Sequence, residues 1–365
     1  MNESQKHIDL KSRGSGINTK NRFEQLDIDY DLSSFDEYFD SDPELVRIKT
    51  KFYNDNSKSI LAKNDSPDLG FDYSINPYRG CEHGCIYCYA RPSYEYLGFS
   101  AGLDFETKIM VKRDAPKLLD EAFRKKSWVP QVVIFSGNTD CYQPIERRLE
   151  ITRECLKVFL NFRNPLGVIT KNALIQRDID ILSELAKLKL VNVVISITTL
   201  KRELSRKMEP RTSVPAKRLD TIYKLSSAGI PVGVNAAPII PGLNDEEIPA
   251  ILKAAAECGA KTAGKVMVRL PHSVKELFYE WLLRVYPEKA SKIINRIKDI
   301  RRGEMSSPEF GTRMRGEGEY AQHIHNLFKT CCSRYGLNKD IQHTRKDLFR
   351  VPPLDKTQGE LFIEQ

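Results

Sequence analysis

The chain has 365 residues, 41% of them hydrophobic and 29% charged, with a formal net charge of +8 at neutral pH. This is the make-up of a soluble globular protein large enough for two or three domains, or for one barrel with extensions, and its basic excess permits an anionic partner without requiring one. No run of about 18 uncharged apolar residues occurs, and the polar start Met1-Asn-Glu-Ser has no apolar core of a signal peptide, so neither membrane nor secretion is expected and eight unpaired cysteines fit a reducing cytoplasm.

Residues 1–68 read as a polar, acidic arm whose scattered aromatics Tyr30, Phe35 and Phe39 would pin it to the body. Residues 69–271 alternate strands and helices. Strands are predicted at 107–112, 131–135, 167–170, 191–198, 230–236 and 265–270, with helices at 115–125, 144–162, 175–188, 215–228 and 246–258. Asp114 is placed to cap the first helix and Gly229 to end the one over 215–228. Repeats of about 25–35 residues argue for parallel strands joined by crossover helices, hence an α/β fold and a partial (β/α)6 barrel. A doubly wound open sheet is the rival, although G-x-G-x-x-G is missing from its first turn. Residues 272–365 form a basic helical extension with a terminal tail.

The chemistry concentrates in Cys81-Glu-His-Gly-Cys85-Ile-Tyr-Cys88. Three thiols on one glycine-containing loop can turn to a single soft metal centre, either zinc or an iron–sulfur cluster. Zinc would want a fourth ligand such as His83, whereas a 4Fe-4S cluster held by three cysteines keeps one iron open. Of the other five cysteines, Cys155, Cys258, Cys331 and Cys332 read as packing residues.

The spacing C-x3-C-x-aromatic-C, with Tyr87 before the third cysteine, resembles the radical S-adenosylmethionine (radical SAM) family. Closer still, Asn76 to Pro92, Thr139 to Glu146, Leu200 to Arg211 and Gly311 to Gly316 resemble the bacterial group related to spore photoproduct lyase, often labelled DNA repair photolyase-like. The resemblance implies a 4Fe-4S cluster on Cys81, Cys85 and Cys88, with S-adenosylmethionine on its open iron. Reductive cleavage there would give a 5′-deoxyadenosyl radical. It further implies that Ser136-Gly137-Asn138, standing where the family often has Gly-Gly-Glu, meets the amino group of the methionine part. Lys171, Ser196 and Arg211 would hold its carboxylate and the ribose hydroxyls, Asn235 would sit near the ribose, and Ile239 or Ile240 would pack on the adenine.

Cys141 is the candidate radical quencher, although it does not align with the hydrogen-donating cysteine of spore photoproduct lyase, and a buried packing role is the competing reading. Flavodoxin or ferredoxin is the kind of electron donor implied. Arg301, Arg302, Arg313 and Arg315 fit contact with DNA, and Gln358-Gly-Glu-Leu361-Phe362 resembles peptides that bind the bacterial sliding clamp. Repair or modification of a DNA base is the expected activity. Radical modification of RNA or of a protein side chain, and a non-catalytic metal-bearing nucleic-acid binding module, remain the alternatives.

Overall fold

The computed structural model describes residues 12–23 and 48–353. Tyr30, Phe35 and Phe39 and the tail with Gln358, Leu361 and Phe362 lie outside these. In chain order the strands are β1 (Lys51–Asn54), β2 (Leu61–Lys63), β3 (Tyr73–Ile75), β4 (Tyr78–Arg79), β5 (Lys108–Val111), β6 (Val133–Phe135), β7 (Leu166–Thr170), β8 (Val191–Ser196), β9 (Val232–Ile239) and β10 (Thr262–Met267). One seven-stranded sheet has the order β10-β9-β8-β7-β6-β3-β2. Its neighbours from β3 through β10 pair in parallel, and β2 closes the edge antiparallel to β3. Such a series brings its carboxyl ends, and the loops that follow them, to one rim.

The expected count of six parallel strands holds, but its membership changes. The strand predicted at 107–112 is β5, which belongs to a separate three-stranded sheet with β1 and β4. The first barrel strand is instead Tyr73–Ile75, too short to show a period of its own. The main sheet also begins before residue 69, because Leu61–Lys63 pairs with it.

The helix predicted over 144–162 is two helices, Glu146–Leu149 and Ile151–Phe162, divided where Glu150 takes a left-handed φ of 53°. The break lets the buried Glu146 carboxylate accept the Thr152 amide at 3.1 Å. An anionic acceptor thus caps the start of the second helix. That helix then packs on Ala115–Arg124, with the Phe123 ring 5.3 Å from Phe159 and 5.5 Å from Phe162. Each buried ring contributes about 1.5–3 kcal/mol of hydrophobic stabilisation. The helix expected over 175–188 starts with a 3-10 turn, Ala173–Asp178, capped when Asn172 accepts the Leu174 amide at 3.0 Å.

The extension is helical as expected. Val274–Val285 and Pro287–Asp299 bury Leu277, Phe278, Trp281 and Ile293 in one apolar cluster with Cys85, Ile86, Tyr87 and Ile240. Gly318–Arg334 instead joins the main core, where Cys331 and Cys332 pack beside Phe328. Among the described residues no helix is long and apolar enough to cross a membrane.

Candidate active site

The cysteine loop leaves the carboxyl end of β3. Gly80 and Gly84 have φ of 77° and 65°, a left-handed backbone that only glycine adopts without strain. A Cβ on Gly80 would meet the Tyr94 hydroxyl at 2.1 Å, and one on Gly84 would meet Glu106 Oε2 at 2.7 Å. The loop therefore folds tightly against its surroundings. Cys81 and Cys85 are buried and Cys88 is half-buried. Burial, joined by the charges of Asp140, Cys85 and Cys88, pushes the Cys81 thiol up; burial and Glu209 do the same to Cys85. The Cys81 thiol thus stands near enough to feel those of Cys85 and Cys88, and the Cys85 thiol that of Cys88.

Two buried ion pairs hold this loop. On the barrel side Glu209 accepts from the Tyr87 hydroxyl, from Thr198 Oγ1 at 2.6 Å and from Arg218 Nη2. Burial works against the Glu209 carboxylate, but Arg218 and Lys171 outweigh it and keep its pKa below the ordinary value. The Ile86 amide also donates to the Met208 carbonyl at 3.0 Å. On the outer side Arg91 Nε donates to the Cys85 carbonyl at 3.0 Å, while its Nη2 pairs with Glu106. Glu106 in turn accepts the amides of Gly14 at 3.1 Å and Ser15 at 2.9 Å. Segment 12–23 thereby lies across the loop, so close that a Cβ on Gly14 would sit 1.7 Å from the Gly84 carbonyl oxygen.

Lys171, just past β7, stands with its ammonium 5.9 Å from the Tyr87 ring centroid. Burial lowers its pKa, but Cys85 and Glu209 more than offset that and the net shift is upward. Ser136 has φ 70°, its Oγ accepts the Cys141 amide at 2.9 Å, and Asn76 Oδ1 accepts the Asn138 amide at 2.8 Å. A Cβ on Gly137 would collide with Ser74 at 2.8 Å, so this turn requires glycine. The Tyr89 hydroxyl donates to the Gly137 carbonyl, joining the cysteine loop to the turn after β6. Ser196 is buried at the end of β8, and Ile240 is fully buried in the apolar cluster that holds Cys85 and Tyr87.

Three further candidates have other neighbours. Arg211 pairs with Glu82 at 3.0 Å and donates to Thr50 Oγ1 at 3.2 Å, so its guanidinium braces the loop from outside. The Asn235 side chain lies beside Gly264, whose added Cβ would meet its Oδ1 at 3.2 Å, in register with the next strand. Cys141 is fully buried in the main core, where burial and Asp140 raise its pKa; this is the environment of a packing thiol. Sequence reasoning overlooked Glu209, Arg218, Arg91 and Glu106. Glu209 lies two residues before Arg211 in a stretch already singled out, but its partners Tyr87, Thr198 and Arg218 sit on three different elements, 122, 11 and 9 residues away.

The donor set suits a cluster better than zinc. His83 has Nδ1 3.4 Å from Asp140 Oδ2 and Nε2 3.2 Å from the Asn172 amide nitrogen, so both ring nitrogens are engaged. Among the described residues no three His, Cys, Asp or Glu side chains meet closely enough to grip one ion. Three thiols on one loop suit a cubane, in which each takes its own iron.

A family model, the radical SAM superfamily, matches residues 75–255. An uncharacterized protein of Mycobacterium tuberculosis is 34% identical over 262 residues, covering 71% of this chain and 76% of that protein. The chain belongs to the radical SAM superfamily. A second relative, an uncharacterized protein of Methanocaldococcus jannaschii, is 30% identical over 204 residues, 56% of this chain and 71% of its own. Among solved structures, spore photoproduct lyase complexed with dinucleoside spore photoproduct matches with TM-score 0.57 at 16% identity, covering 80% of this chain and 81% of that one. The same lyase with bound AdoMet and dinucleoside spore photoproduct matches with TM-score 0.57 at 15% identity over 83% of each chain. At such identities the likeness is one of fold. As a radical SAM protein the chain is an enzyme, and its family implies an iron–sulfur cluster, S-adenosylmethionine and an electron donor.

Proposed function

We propose that this radical SAM enzyme acts on a base of a nucleic acid, in repair or modification of DNA. Cys81, Cys85 and Cys88 would hold the 4Fe-4S cluster. When bound, cluster and S-adenosylmethionine together supply a 5′-deoxyadenosyl radical able to abstract hydrogen.

The chain's own residues prepare that site. The raised pKa of Lys171 keeps it cationic beside Cys85 and Glu209, ready to take a carboxylate. Ser136, Gly137 and Asn138 form the small-residue turn for the amino group, and Ser196 offers a hydroxyl at the next strand end but one. Ile240, buried beside Cys85 and Tyr87, backs the segment that would meet the purine. Glu209 and the Tyr87 hydroxyl keep the loop in register, and the buried cluster around Ile86 and Trp281 excludes water from that side. A flavodoxin or ferredoxin would deliver the electron.

The observation that carries the substrate half of this reading is the fold shared over four fifths of the chain with an enzyme complexed with a dinucleoside photoproduct. The test is anaerobic: reconstituted protein, reductant and S-adenosylmethionine, with 5′-deoxyadenosine measured alone and with ultraviolet-damaged DNA, intact DNA or RNA. Stimulation by a DNA is the expected result. Formation that no nucleic acid changes would remove the base as substrate.

A further inference from the structure

The end of β10 runs into a second constellation, whose arginines the cysteine loop and its clamps do not use. Arg269, two residues past that strand, lies with its guanidinium 5.7 Å from the ring centroid of Tyr89, the residue after Cys88. Its Nη1 donates to the thioether sulfur of Met314 at 3.6 Å, a weak acceptor. Arg301 is 3% exposed. It donates Nη1 to the Thr312 carbonyl at 3.1 Å and Nη2 to the Val268 carbonyl at 2.9 Å, both neutral, and its buried Nε has no partner. Arg313 pairs with Asp68, donates to Ser66 Oγ and lies 4.2 Å from the Phe310 ring centroid.

Positive charge exceeds negative here. Burial and Arg313 lower the pKa of Arg269, and burial and Arg269 bring Arg301 down to about 10. Among the described residues the carboxylates acting on these guanidiniums are Asp68, occupied by Arg313 and by the Gly311 amide, and Glu317, occupied by Arg302, with Glu309 beside Thr312 and Arg302. Buried guanidinium groups with neutral partners are costly unless an anion completes them. The neighbouring rings are open, Tyr89 at 48% and Phe310 at 55% exposure. Guanidiniums interleaved with accessible rings are how proteins hold unpaired nucleotides: cations meet phosphate and rings meet base faces.

We propose that Arg269, Arg301 and Arg313, with the rings of Tyr89 and Phe310, form a seat for one backbone phosphate and the adjoining unstacked base of a nucleic-acid strand. Tyr89 joins this seat to the cysteine loop, so a strand held here would present its next base toward the strand-end rim. The seat rests on the nucleic-acid reading of the substrate and specifies where the strand is gripped.

Binding is measured without chemistry, on the cluster-loaded full chain without reductant or S-adenosylmethionine, by fluorescence anisotropy of a labelled single-stranded DNA of about 12 nucleotides. Arg269→Gln with Arg313→Gln is expected to weaken binding about tenfold or more. It should also lower the slope of log affinity against log salt by about 0.7 for each phosphate no longer neutralised. Arg269→Gln alone, which disturbs only a thioether contact and a ring face, serves if the double variant melts early, and Arg269→Lys should retain part of the affinity. Phe310→Ala should weaken an intact strand more than one abasic at its centre.

Lys289→Gln with Lys292→Gln, in a separate basic cleft lined also by Lys201 and Arg296, should leave binding unchanged. Unchanged affinity and slope in a well-folded Arg269→Gln variant, or loss only in the lysine variant, would overturn the seat. If DNA stimulates 5′-deoxyadenosine formation while the arginine variants bind normally, the seat falls and the function stands. If binding needs the arginines but no nucleic acid stimulates cleavage, the seat stands and the base is not the substrate.

Discussion

The two faces of the cysteine loop are held by the same device in different settings. Each uses a buried Arg–Glu pair, Arg218 with Glu209 on the barrel side and Arg91 with Glu106 on the outer side, and all four side chains are at most 1% exposed. The inner pair is rooted in the sheet: Arg218 also donates to the Ser196 carbonyl at 3.0 Å, at the end of a central strand. The outer pair is rooted in a strap, since the remaining acceptor capacity of Glu106 goes to Gly14 and Ser15. A buried carboxylate needs its partners complete. On the inside the barrel completes them when it folds. On the outside completion waits for segment 12–23 to lie down, so inner defects should unfold the protein and outer defects should loosen only the loop.

The largest effect is expected from Glu209→Gln. It leaves Arg218 and Lys171 cationic without their shared carboxylate and should cost about 3–5 kcal/mol in urea denaturation, with the whole barrel affected. Glu106→Gln can still accept from the strap amides while Arg91 loses its counter-charge, so a smaller loss of about 1.5–3 kcal/mol is expected. It should appear first as faster hydrogen exchange at Gly14 and Ser15. Gly14→Ala must lift the strap off the Gly84 carbonyl, at about 1–3 kcal/mol. Its global midpoint should move little, but limited proteolysis within 12–23 and air-induced iron loss should quicken. Tyr87→Phe removes one donor to Glu209 and should cost about 1 kcal/mol. Equal global destabilisation by Gly14→Ala and Glu209→Gln would erase the distinction between the faces.

The cysteine loop was legible because its signal is local: three thiols, one aromatic and two glycines within nine residues of sequence, Gly80 to Cys88. The strands β6 to β9 were legible because largely apolar runs bounded by turns carry their own pattern, whereas β10, Thr262–Met267, was expected at 265–270 because its first half is not apolar. The clamps were not, because each unites residues far apart, as Tyr87 with Glu209 or Gly14 with Glu106, and a single sequence shows no such pairing. The misassigned first strand has the same origin. Residues 107–112 alternate like a barrel strand, yet the Phe105 carbonyl takes the Cys81 amide at 2.9 Å and the segment turns to supporting the loop in its own sheet. The strand ends that carry Lys171, Ser136 and Ile240 can be located before the sheet is known, whereas the pairing of Arg211 with Glu82, which lies inside the motif itself, cannot.

The central claim, that Cys81, Cys85 and Cys88 together hold one cluster with an open iron, is tested most directly by electron paramagnetic resonance of the anaerobically reconstituted, reduced protein. The account predicts about four irons per chain, a cubane signal that changes when S-adenosylmethionine is added, its loss in each of Cys81→Ala, Cys85→Ala and Cys88→Ala, and its retention in Cys141→Ala. A signal that survives in any of the first three variants, or a purified protein that binds zinc and no iron, would contradict it.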